Sequence, residues 1–135
     1  MIDIANYKQA LAWLRRAMAE QELQPDDQIL RDNVWHSFEV TYNVSESTLR
    51  HALAQITGED TLAFVSSREV MRCAAEEGIY LSSGKQWLRY GIALEQTDES
   101  LGDTFSKDIL PLLPQFAANL EAFAIRLEGR LASHA

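Results

Sequence analysis

Twenty acidic side chains against twelve basic ones give this 135-residue chain a net charge of -8, and with no Lys/Arg run to offset it a broad electrostatic grip on a nucleic-acid backbone is disfavoured. The length is that of one domain able to bury a core without disulfide or metal staples. A composition 47% hydrophobic and 24% charged is that of a folding chain, not a disordered one.

The first residues, Met1-Ile2-Asp3-Ile4-Ala5-Asn6, lack a basic segment leading into an apolar one. No stretch approaches the roughly 18 apolar residues a membrane helix requires, so a cytoplasmic location with no membrane contact is expected. In the first helix, Ile4, Tyr7, Leu11, Leu14 and Met18 recur at spacings of three and four and share one face. Gln24-Pro25-Asp26-Asp27 then breaks the chain and supplies acidic candidates for the next N-cap.

A second helix runs from there to about Ile56, because Leu30, Val34, Phe38, Thr41, Leu49 and Leu53 hold the helical period and neither Pro nor Gly intervenes before Gly58. Trp35, Tyr42 and Leu49, seven apart, widen its apolar face, which places it at the centre of the bundle. Ser66-Ser67-Arg68-Glu69 reads as a capping box that opens a third helix, ended by Gly78 as a left-handed cap with Ile79 to Leu81 as its hydrophobic contact. Cys73, the only cysteine, falls in this helix and is expected to be a small buried hydrophobe, since one thiol cannot close an intrachain bridge.

Ser82-Ser83-Gly84 marks a turn into a fourth helix over Lys85 to Gln96, with Trp87, Leu88, Gly91 and Ile92 expected inward and close helix contact expected at Gly91. Beyond a polar stretch, Ile109, Leu113, Phe116, Leu120, Phe123, Leu127 and Leu131 form a near-heptad stripe, the fifth helix, which Pro111 and Pro114 are expected to kink. No strand-like alternation, repeat or low-complexity tract appears. The expected fold is therefore all-α, an antiparallel up-and-down bundle of four or five helices forming a single domain over residues 1–135.

Enzyme signatures are missing. His36, His51 and His134 are scattered, no His-x-x-x-His or Cys-x-x-Cys exists, and no phosphate-cradling glycine loop or nucleophile elbow is present, so neither a metal nor a cofactor is expected. Arg31 and His36 do have the spacing of an Arg/His ribonuclease pair, but five residues of helix turn them about 140 degrees apart. Structural roles are expected for both.

Two segments are more distinctive: Arg31-Asp32-Asn33 with Phe38-Glu39-Val40-Thr41-Tyr42, and Ser67-Arg68-Glu69-Val70 with Gly78-Ile79 and Trp87-Leu88. Together they resemble the HEPN-type nucleotidyltransferase substrate-binding proteins, helical partners of a minimal nucleotidyltransferase in toxin-antitoxin-like pairs, over roughly Tyr7 to Leu131. The resemblance implies a homodimer of helical bundles flanked by nucleotidyltransferase subunits. Active members of that family carry an Arg and, four to six residues on, a His just after the fourth helix, which cleave RNA by proton transfer and phosphate stabilisation. A Tyr two residues beyond the His accepts a nucleotide from the partner.

Counted from Trp87, the Arg position falls on Leu94, the His on Glu99 and the Tyr on Leu101, while Thr97 matches the family's Thr. The triplet is vestigial here: a carboxylate repels a phosphodiester and a leucine cannot hold one. The expected function is thus a non-catalytic subunit that dimerises, binds a minimal nucleotidyltransferase and helps position its substrate. Arg31, Trp35, Phe38, Glu39, Tyr42 and Thr97 are the candidate interface or ligand-facing residues. Two alternatives stand beside it, a HEPN ribonuclease toxin with a rearranged site using Arg89 or Arg31 with His36, and a helical scaffold with no nucleotidyltransferase link.

Overall fold

Five helices make up the computed structural model, which describes residues 4–59, 66–96 and 108–134. They are α1 (Ala5–Leu23), α2 (Gln28–Thr57), α3 (Ser67–Glu77), α4 (Gly84–Gln96) and α5 (Leu113–His134), the last preceded by a short 3-10 turn at Leu110–Leu112. Among the described residues there is no strand, and the fold is all-α as the periodicity predicts. No helix is long and apolar enough to cross a membrane among these residues.

The boundaries follow local chemistry. Asp27 caps α2, its carboxylate accepting from the backbone N–H groups of Ile29 (2.9 Å) and Leu30 (3.2 Å), and Gly58 ends the helix at φ 78. Ser66 caps α3 by accepting from Glu69 N–H at 3.1 Å, the forward half of the expected box, while the Glu69 carboxylate turns to Arg72 at 3.7 Å. Gly78, at φ 75, closes α3 in a Schellman arrangement, with Ile79 N–H reaching Ala74 O (3.0 Å) and Gly78 N–H reaching Ala75 O (3.3 Å). Ser83 opens α4, its hydroxyl accepting from Gln86 N–H at 3.1 Å.

Cross-helix pairs set the directions. Along α1, Ala10 and Trp13 meet Thr41 and Asn33 of α2, and Lys8 and Arg15 meet Glu128 and Glu121 of α5, so α1 runs antiparallel to both. The α1–α2 seam is unusually polar for a core. Ser37, Thr41 and Ser45, four apart and buried, each donate to a backbone carbonyl one turn back, and Thr41 also donates to Ala10 O of α1 at 3.1 Å. Small satisfied hydroxyls let the two helices approach closely at little desolvation cost. Tyr7 ties α1 to α5 by donating to Leu120 O, with its ring tilted 60° against Phe123 at 5.4 Å.

The α5 stripe is the spine of the core: Ile109, Leu113, Phe116, Leu120, Phe123 and Leu127 are all fully buried. The two prolines do not kink a long helix. Pro111 lies in the 3-10 turn and Pro114 in the first turn of α5, where a missing N–H costs nothing because the first four have no intrahelical acceptor. A second departure concerns α4, whose buried face is Trp87 and Tyr90, with Leu94 partly buried, whereas Leu88 and Ile92 stand 60% and 42% exposed. The indole commits the helix to the 87-90-94 spacing, which turns 88 and 92 outward.

Phe116 is the hub of an aromatic cluster. Its ring meets Phe38 at 4.7 Å (84°), Tyr90 at 4.9 Å (81°) and Trp87 at 5.8 Å (20°), joining α2, α4 and α5. Replacing it with alanine removes contacts on three sides of a site the surrounding rings cannot refill. Phe116→Ala is expected to lower unfolding free energy by about 3–5 kcal/mol in urea titrations, against about 1 kcal/mol for Asp27→Ala at the α2 cap.

Candidate functional site

A groove of about 630 Å³ opens between α3 and α4, with the α2 side chain of Tyr42 and the α4 indole of Trp87 at its base. The face of α3 turned to it carries Arg68, Met71, Arg72 and Ala75, and the face of α4 carries Lys85, Leu88, Gly91 and Ile92. Each set repeats at three and four residues, one face of one helix.

The base is built around Glu46. Its Oε1 accepts from Trp87 Nε1 (2.8 Å), from the Ser67 hydroxyl (3.0 Å) and more distantly from the Tyr42 hydroxyl (3.4 Å). One carboxylate thereby joins α2 to the first turn of α3 and to α4. Satisfying the indole N–H matters because Trp87 is 1% exposed, and a buried donor left without an acceptor is costly. Tyr42 stacks flat on that indole, centroids 4.6 Å apart and planes 8° from parallel.

Gly91 makes this stack possible, as a Cβ there would sit 2.6 Å from the Tyr42 hydroxyl and 3.3 Å from Cζ. The close approach expected at Gly91 therefore has a specific neighbour. Desolvation, reinforced by Glu46 and Glu95, raises the Tyr42 pKa well above its ordinary value, so the phenol stays a protonated donor. Burial likewise raises Tyr7 and Tyr90, the latter partly offset by its bond with Asn119.

Among the described residues, one of the expected candidates reaches the groove. Tyr42 lines it; Arg31, Trp35 and Glu39 are partly buried further toward the start of α2. Arg31 donates to Gln28 Oε1 at 2.8 Å, a pairing within the first turn of α2. Trp35 packs edge-on to His36 (5.3 Å, 86°), and its shielded Nε1 meets no acceptor among the described residues. Phe38 belongs to the aromatic core with no exposed surface. Leu94 is partly buried and packed against the core, while Thr97, Glu99 and Leu101 lie outside the described residues.

Glu46, Ser67, Gly91 and the two groove cations Arg68 and Lys85 were not singled out as site residues by sequence reasoning. The spacing of Tyr42 and Glu46 was the available signal, because four residues on a helix bring a phenol and a carboxylate together. Cys73 is partly buried, and desolvation together with Glu77 and Glu76 raises its thiol pKa, so it is held as the neutral thiol. Among the described residues no three His, Cys, Asp or Glu side chains converge as a metal site.

Alanine at position 91 should gain about 1 kcal/mol of helix propensity. Displacing Tyr42 from the indole outweighs it, so Gly91→Ala is expected to be net destabilising by about 1 kcal/mol and to diminish the near-ultraviolet dichroism of the stack. Glu46→Leu should cost about 2 kcal/mol more than Glu46→Gln, which keeps an acceptor for Trp87, in paired urea titrations. Stability is also expected to fall as pH rises past the ordinary phenol pKa of 10.0. Past that point the unfolded chain releases protons that folded Tyr7, Tyr42 and Tyr90 retain, and rising pH then favours unfolding. Thermal melts on either side of that pH, with phenolate absorbance as the titration readout, check the sign.

Comparison of the chain with curated proteins and with solved structures returns no match. A family model described as "Nucleotidyltransferase substrate binding protein like" matches residues 2–128, which include all five helices up to the last turns of α5. With nearly its whole length matched, the chain belongs to the nucleotidyltransferase substrate binding protein-like family.

Proposed function

We propose that this protein is the substrate-holding subunit of a nucleotidyltransferase: a non-catalytic, HEPN-like, cytoplasmic helical bundle that forms a homodimer, docks on a minimal nucleotidyltransferase and presents the acceptor molecule to it. Family membership over residues 2–128 is the observation that carries the reading. The groove between α3 and α4 supports it, as a concave, largely apolar site with a few polar groups on a rigid frame is the usual form of a small-molecule site.

Holding an acceptor in one orientation beside a partner's active site accelerates transfer without any proton-moving group on the holder, by removing the entropy of bringing the reactants together. The residues at the vestigial positions suit that division of labour. Leu94 is aliphatic and packed against the core, and Glu99 and Leu101 offer neither an imidazole nor a phenol. The stacked and hydrogen-bonded base of the groove suits it too, because a holder must be stiff to be effective.

Co-expression of the tagged protein with a minimal nucleotidyltransferase from the same genome tests the proposal. The two are expected to co-purify and to run as one species whose light-scattering mass corresponds to a dimer of this chain with bound enzyme. Purification of each alone at micromolar concentrations, with no co-elution, would sink the reading.

A further inference from the structure

We infer that the groove between α3 and α4 is selective for an organic anion with a flat apolar body, such as an aromatic phosphate, sulfonate or carboxylate. This deepens the substrate-holding role by naming the ligand class, and rests on that role only for the ligand's later fate. The apolar half of the ligand is specified by Ala75, Leu88 and Ile92, exposed apolar side chains above the buried Met71. Exposed apolar area of that kind recovers free energy when a flat body covers it.

The anionic half is specified by the cations. Arg68 on the α3 wall and Lys85 on the α4 wall flank the groove, and neither has a carboxylate partner among the described residues. Arg72, the third cation, is already committed to Glu76 (2.9 Å) and Glu69 (3.7 Å). In a chain of net charge -8, two cations on opposite walls of one slot, neither ion-paired among the described residues, give an anion two points of attachment.

Two carboxylates lie nearby: Glu46, hydrogen-bonded by three neutral donors at the base, and Glu95, exposed on α4. The α4 wall is thinned by glycines at 84 and 91, seven apart on one face, where side chains would meet Met71 and Tyr42. A volume of about 630 Å³ suits a compact ring system carrying one charged group.

The test uses the intact chain alone, so its failure leaves complex formation with the nucleotidyltransferase untouched, and the reverse. Anilinonaphthalene sulfonate supplies an aromatic body with one anionic group, and N-phenylnaphthylamine is the same body without the charge. The sulfonate is expected to bind saturably at one site per chain, to be displaced by naphthyl phosphate, and to bind at least about tenfold more tightly than the neutral probe. Arg68→Glu combined with Lys85→Glu should weaken it at least about tenfold; both side chains are exposed, so folding is preserved. Leu88→Asp should also weaken it, while Ile125→Asp, at an exposed position on α5, should not. Equal affinity for both probes, indifference to the charge reversal, or a dimer that Leu88→Asp splits into monomers would each overturn the proposal, the last by showing that a second copy covers the groove.

Discussion

The Trp87 indole is the constraint on which the groove depends. It is buried between Tyr42, Tyr90 and Phe116, and its single polar atom is met by Glu46. The rings of Trp87 and Tyr90 are the fully buried side chains that hold α4 to the bundle, while the Nε1 bond fixes where along α2 the helix docks. Because Glu46 also receives Ser67, the same carboxylate sets the start of α3. The separation of the groove's two walls thus follows from one side chain and its acceptor.

Elsewhere the acidic chain uses its few cations as struts. Lys8–Glu128 and Arg15–Glu121 stitch α1 to α5 across exposed surface, where such pairs contribute little, on the order of 0–1 kcal/mol. Arg130 and Arg126 hold the connection between α3 and α4 against α5, Arg130 through Glu77 and its carbonyl, Arg126 through Tyr80 O and the face of its ring at 4.0 Å. That connection carries the Schellman turn at Gly78, so the angle at which α4 leaves α3 is pinned from the α5 side. Arg68 and Lys85 are spared from this bracing.

A rigid base with adaptable walls is suited to holding a ligand. The base is aromatic and hydrogen-bonded, with few rotamers left to lose on binding. The walls end in long exposed side chains, Arg68 and Lys85, that can adjust to a bound molecule. Family membership relates the chain to the nucleotidyltransferase substrate binding proteins.

Helix number, boundaries and the family were legible in the residues themselves. Period, caps and breakers act over a few residues, so Asp27, Ser66, Gly78 and the α5 stripe carry their meaning wherever they occur. Leu88 and Ile92 are expected inward on sequence because a short helix with apolar residues at 87, 88, 91 and 92 offers two nearly equivalent buried faces. Which face is buried was decided by a contact 45 residues distant in sequence, the stacking of Trp87 on Tyr42. Glu46 escaped notice for the same reason, since a carboxylate on a long polar-edged helix is ordinary until three donors from α2, α3 and α4 converge on it. Local chemistry therefore determined what the helices are, and only long-range packing decided which faces they bury and where the groove opens.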